Sequence, residues 1–124
     1  KDRGRSVKYF VEEEFLCQHC QAVGIKDEIT DILDSMREEC GFPFVVTSGY
    51  RCANHPIEAR KERPGAHAGG YAVDLAVDHG KALKVVESAL RHGIERIGVN
   101  QKGSGRFIHI DCDPNRFTPA MWSY

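Results

Sequence analysis

Asp74 sits in Tyr71-Ala72-Val73-Asp74-Leu75-Ala76-Val77, an otherwise apolar stretch that reads as a buried strand. A free carboxylate is costly in such a place and calls for a partner. His109 occupies a similar position in Phe107-Ile108-His109-Ile110-Asp111. Strand alternation puts His109 and Asp111 on one face, with Ile108 and Ile110 on the other. His67 stands in Pro64-Gly65-Ala66-His67-Ala68-Gly69-Gly70, where glycines let the backbone come close to another group. Two histidines and one aspartate are a common ligand set for a catalytic zinc, with a fourth position left for water. The same residues admit a plainer reading, in which Asp74 is hydrogen-bonded to the glycine-rich loop and both histidines are ordinary.

Helices and strands must bring these residues together. From Lys26 to Cys40 the apolar residues Ile29, Ile32, Leu33 and Met36 recur at helical spacing, with Ile25 leading in. Asp27 and Glu28 suit the start of that helix and Gly41 its end. Phe44-Val45-Val46-Thr47 reads as a strand bounded by Pro43 and Gly49, followed by a long loop from Tyr50 to Gly70. Tyr71 to Val77 is the second strand. Lys81 to His92 is a second amphipathic helix with Leu83, Val86 and Leu90 as its apolar stripe, closed by Gly93. Arg96–Asn100 and Arg106–Cys112 form two strands around the turn Gln101-Lys102-Gly103-Ser104-Gly105. Phe10 to Cys20 reads as an irregular leading segment, and Trp122 and Tyr124 as packing residues. The expectation is a small α+β domain with two main helices on a mainly antiparallel sheet.

The 124 residues suit a single soluble domain, expected to span 1–124 and to be a monomer. A formal charge of -1 argues against a nucleic-acid binder, which is usually markedly basic. No apolar stretch approaches the ~20 residues that span a bilayer. The chain starts at Lys1 rather than Met and shows no signal peptide, which leaves trimmed ends as an expectation. Five cysteines cannot all pair within one chain, and their density is not that of a disulfide scaffold, so mostly free thiols are expected. Cys17-Gln18-His19-Cys20 has the spacing of half a zinc knuckle, for which Cys40, Cys52 and His55 are candidate further donors. His79 and His92 fall near helix ends, where solvation is expected.

Three segments carry a resemblance in order along the chain: Ser48-Gly49-Tyr50-Arg51-Cys52, His67-Ala68-Gly69-Gly70-Tyr71-Ala72-Val73-Asp74-Leu75, and Phe107-Ile108-His109-Ile110-Asp111. Together they resemble the signatures of the M15 family of zinc D-alanyl-D-alanine peptidases, Ser-Gly-(Phe/Tyr)-Arg, His-x-x-Gly-x-Ala-x-Asp and a late His-x-Asp or His-x-His. Glu14-Phe15-Leu16-Cys17 and Met121-Trp122 are similar to the short carboxypeptidase-like branch found in phages and bacteria. The resemblance implies a fold like that shared by these peptidases and the hedgehog signalling domain. It implies that His67, Asp74 and His109 hold Zn2+, that Arg51 binds the substrate carboxylate or the developing oxyanion, and that Ser48 contacts substrate or holds the turn. The implied substrate is a peptidoglycan stem peptide, cleaved by a carboxypeptidase or an endopeptidase, with action at the cell wall.

The general base is where this chain departs from the pattern. Relatives place a Glu three residues before the last ligand, or an acid and a His just upstream of it. Here Arg106, Ser104 and Phe107 stand at those positions. Asp111 is left, either as the catalytic group that takes the proton of the attacking water or as the partner that orients His109. Two rival readings follow: an inactive relative whose zinc site serves binding or structure, and an intracellular thiol or metal-handling protein built on Cys17 and Cys20.

Overall fold

The computed structural model describes residues 8–10, 12–21, 24–51 and 66–124. A short 3-10 turn at Glu12–Phe15 leads into helix α1, Asp27–Cys40. Strands β1 (Val46–Ser48) and β2 (Ala72–Leu75) come next, then helix α2 (His79–Arg91), the hairpin β3 (Arg96–Asn100) and β4 (Phe107–Asp111), and β5 (Ala120–Ser123). The sheet order is β1-β2-β4-β3-β5. All pairings are antiparallel except β3 with β5. The architecture is α+β on a mostly antiparallel sheet, as the sequence predicts. No helix among the described residues is long and apolar enough to cross a membrane.

Helix α1 forms where its spacing predicts. Ile29, Leu33 and Met36 are fully buried, Asp27 and Glu28 occupy the first turn, and the Gly41 N–H donates to the Arg37 carbonyl at the end. Helix α2 corrects the sequence reading of its buried face. Ala82, Val85 and Ala89 face inward, while Leu83 and Leu90 are 71% and 57% exposed. The two helices meet through Glu39, whose Oε1 accepts from Ser88 Oγ at 2.6 Å and whose Oε2 accepts from Arg91 Nε at 2.7 Å. Strand β1 starts two residues later than expected, and β5 was not expected at all. The predicted loop from Tyr50 to Gly70 lies largely on 52–65, outside the described residues, as do Cys52 and His55.

Register divides the sheet into two chemically distinct faces. Val73, Leu75, Ile97, Ile108 and Ile110 belong to the apolar core with Ile29, Leu33, Met36, Val85 and Ala89 of the helices. The alternate residues point the other way, because successive side chains on a strand take opposite faces. Ser48 pairs with Asp74, Asp74 with His109, His109 with Gly98 and Gly98 with Trp122. That is one lateral row across all five strands. A parallel row, Ala72–Asp111–Arg96–Ala120, lies two residues further along. The face away from the helices therefore collects the polar residues that the apolar strands carry.

Candidate metal centre

Asp74 and His109 are cross-strand partners on β2 and β4, and their side chains meet, with Asp74 Oδ1 3.0 Å from His109 Nδ1. His67 enters from the turn at residues 66–70, just before β2. Its Nε2 lies 3.3 Å from Asp74 Oδ1 and 3.2 Å from His109 Nδ1. All three residues are buried. Among the described residues this trio is the group of His, Cys, Asp or Glu side chains close enough to hold one metal ion.

The outer nitrogen of each imidazole fixes what the inner one offers. His67 Nδ1 lies 2.7 Å from the Gly49 carbonyl, which can only accept, so Nδ1 carries the hydrogen and Nε2 presents a lone pair. His109 Nε2 lies 2.7 Å from Asp111 Oδ2, an ionised carboxylate, so that nitrogen donates and Nδ1 is the inward one. Three electron-pair donors then converge within about one bond length of a common point, and such a set needs a cation among them. Without a metal the cation is a proton on an imidazole. Ligand bonds of about 2.0–2.1 Å in a tetrahedron put neighbouring ligand atoms roughly 3.3–3.4 Å apart, close to the separations seen here. The donor set fits zinc, with two imidazoles and a carboxylate and each imidazole held from behind.

Titration behaviour follows from the same contacts. Burial alone would raise the Asp74 carboxyl, but hydrogen bonds from His109 and His67, with their charges, bring it well below the usual carboxylate range. Burial likewise would lower the His109 imidazole, and the hydrogen bonds to Asp111 and Asp74 outweigh it and lift the group above its ordinary value. Asp111 is pushed up by burial and down more strongly by the His109 hydrogen bond and the charges of His109 and Arg96.

Local packing positions these groups. Gly49 must be glycine: a Cβ there would lie 2.8 Å from the Phe15 Cα, because the leading segment passes directly over it. The Tyr50 N–H donates to the Phe15 carbonyl at 3.0 Å, and the buried Phe15 ring packs against Phe10. The segment expected to be irregular thus anchors the carbonyl that orients His67. Ser48 and Arg51 stand on either side of that carbonyl. Arg51 Nε donates to Ser48 Oγ at 3.1 Å, Arg51 Nη2 lies 3.6 Å from Asp74 Oδ2, and the Arg51 N–H donates to the His67 carbonyl at 3.2 Å. Arg51 is thereby fixed at the edge of the trio.

Asp111 has both carboxylate oxygens engaged and no exposed side-chain surface. Oδ2 takes the His109 Nε2–H, on the ring edge away from the trio, and Oδ1 accepts from Arg96 Nε at 2.7 Å. A proton acceptor for an attacking water needs an oxygen facing the substrate. The Asp111 contacts instead fit the orienting alternative.

The trio opens into a cavity of about 580 Å³, in the range of small-ligand sites, lined also by Arg51, Arg96, Arg116, Phe107, Trp122 and Tyr124. Sequence reasoning missed Arg96 and Arg116; Trp122 and Tyr124, expected to pack rather than to stack on a ligand, do pack on His109 and Phe107 at the cavity wall. Arg96 lies fifteen residues from Asp111, and only the β3–β4 register brings the two together. The Cys17–Cys20 pair lies elsewhere in character: Cys17 is buried, Cys20 is exposed, and neither joins a metal-holding group among the described residues. Burial pushes the Cys112 thiol up to about 11, which leaves little thiolate at neutral pH.

The sequence profile described as Peptidase M15 matches residues 8–111. No curated protein matches the chain. The matched span covers most of the chain and includes His67, Asp74 and His109, which the fold draws into one metal-sized cluster. The chain belongs to the M15 family of metal-dependent peptidases.

Proposed function

We propose that the chain is a zinc peptidase domain that hydrolyses a peptide bond in peptidoglycan stem peptides, in the manner of D-alanyl-D-alanine carboxypeptidases or endopeptidases. The observation that carries this reading is the convergence of His67 Nε2, Asp74 Oδ1 and His109 Nδ1, with a cationic Arg51 tied beside them. These three atoms would hold the metal. Zinc bound there supplies a Lewis acid that polarises a peptide carbonyl and makes a water acidic enough to attack it near neutral pH.

The chain's own residues do the rest. Arg51 presents a planar donor fork, suited to a terminal carboxylate or to the oxygen that becomes negative during attack. Ser48 holds that fork in place by accepting from its Nε, a positioning role in place of substrate contact. Asp111 keeps His109 in one tautomer and one ring orientation. Among the described residues Arg51, Arg96 and Arg116 line the cavity beside Asp74 and Asp111, and these guanidiniums favour an anionic peptide. Trp122, Tyr124 and Phe107 wall it and limit water.

A second reading has a specific observation behind it. Both oxygens of Asp111 are engaged, and the remaining acids and imidazoles lining the cavity among the described residues are the three metal donors themselves. An inactive relative that binds metal and an anionic peptide needs no further base. Incubating purified muropeptides with zinc-loaded protein and with a chelated control, followed by mass spectrometry, separates the two. Loss of a terminal alanine or splitting of cross-linked dimers in the zinc sample alone supports the peptidase; unchanged masses with zinc bound support the binding protein.

A further inference from the structure

Strand β5 lies beyond residue 111, where the family match ends, yet it closes the metal centre from one side. Trp122 stands opposite Gly98, which stands opposite His109. The indole fills the space that Gly98 leaves, since a Cβ on Gly98 would come 2.5 Å from Trp122 Nε1. Its ring centre is 5.3 Å from that of His109, tilted by 56°. In the adjacent row Arg96 stands between Asp111 and Ala120. Arg96 Nε donates to Asp111 Oδ1 and Nη1 donates to the Phe117 carbonyl, each at 2.7 Å, while its guanidinium covers the Trp122 ring at 4.9 Å.

Neither an imidazole nor a carboxylate is held by its own torsional preference, because rotation about the terminal sp³–sp² bond is broad. Their planes are set by what touches them. Asp111 contacts the outer nitrogen of His109, Arg96 sets the plane of Asp111, and Trp122 backs the His109 ring. A metal ligand has to be held within roughly 0.5 Å and 10–20° to keep its geometry, so these supports matter as much as the ligand.

We propose that Arg96 and Trp122 are positioning residues of the metal centre, through which strand β5 sets how His109 presents Nδ1. The proposal rests on the reading of His67, Asp74 and His109 as the ligands. It extends the centre to a segment outside the family match, and it makes the Arg96–Asp111–His109 series a single support.

The test uses the full chain and the metals alone. Zinc dissociation constants from chelator competition and the visible absorption of the cobalt-substituted protein are compared for the wild type, Arg96→Met, Arg96→Lys and Trp122→Phe. Arg96→Met is expected to weaken zinc roughly 10–100-fold and to change the cobalt bands, as loss of an outer support does at other metal sites. Arg96→Lys keeps the charge but cannot serve Asp111 and Phe117 together, so it should recover part of the affinity. Trp122→Phe should cost several-fold. If Arg96→Met does not fold, the Lys and Phe variants carry the test. Folded variants with wild-type zinc affinity and unchanged cobalt bands overturn the proposal, even where thermal stability drops. A wild type that binds no cobalt, or a His67→Ala variant that binds it equally well, removes the ligand reading and this proposal with it.

Discussion

Asp74 and His109 face each other directly across β2 and β4, and their Oδ1 and Nδ1 atoms stand 3.0 Å apart on the sheet face away from α1 and α2. Two strands that are apolar on their other side each contribute one polar group to the same point. Neither group would be stable there alone, and together they need a cation. The sheet register therefore brings two of the three candidate metal donors together; His67 supplies the third, Arg51 lies beside Asp74, and Asp111 and Arg96 support His109 from behind.

Asp111→Asn separates the two roles open to that carboxylate. As the support of His109, its replacement should weaken zinc roughly 10–100-fold, and activity should return largely at saturating zinc. Zinc titration of the variant alongside its rate checks this. Unchanged zinc affinity with activity lost at every zinc concentration would make Asp111 the base instead.

Arg51→Lys should leave zinc affinity near that of the wild type and lower kcat/KM on peptides with a free terminal carboxylate. A charge-assisted hydrogen bond contributes about 1.5–3 kcal/mol, which corresponds to roughly 10–150-fold. On the same peptide with an amidated terminus the loss should shrink. Equal losses on both substrates would point to the oxyanion rather than the carboxylate as the Arg51 partner.

The metal-free protein should have a narrow optimum of stability in pH. Asp74 and Asp111 are held below 3.8, so the stability they contribute is present above that value and is lost as the pH falls through their lowered values. His109 is lifted above 6.5, so its contribution is present below 6.5 and is lost as the pH rises through the lifted value. Thermal midpoints in chelator should be highest between 3.8 and 6.5. Zinc should shift the optimum upward, because proton and metal compete for Nδ1. A midpoint in chelator that keeps rising above neutral pH would contradict the assignment.

Gly49→Ala should damage both fold and site. The added methyl group would meet the Phe15 backbone at 2.8 Å, so the chain must shift, at a cost of about 1–3 kcal/mol typical of overpacking. The same shift moves the carbonyl that holds His67. Chemical denaturation and zinc competition should report both losses; a stable variant with weakened zinc would place the strain at the site alone.

Asp74, His109 and His67 were legible as polar residues on apolar strands and in a glycine-rich turn, whereas Ser48–Arg51 and the union of the three segments in one site were legible only through their resemblance to the M15 signatures. Helix α1 and the β3–β4 hairpin were legible because each is a short local pattern whose spacing suits a helix, strand or turn. The buried face of α2 was not. Apolar periodicity favours Leu83 and Leu90, whereas the inward positions are taken by the smaller Ala82, Val85 and Ala89, and a hydrophobic pattern carries no measure of that fit. Strand β5 has little local signal, since Ala120 and Ser123 are weak strand formers and its parallel partner β3 lies more than twenty residues back. Arg96 and Trp122 belong to the site only through that long-range register, so their role became visible with the fold.

Zinc-edge X-ray absorption on stoichiometrically loaded protein tests the central claim most directly. The account predicts one zinc per chain with nitrogen and oxygen neighbours at about 2.0–2.2 Å and multiple scattering from two imidazoles. Sulfur neighbours at about 2.3 Å would place the metal on cysteines such as Cys17 and Cys20 and would contradict it.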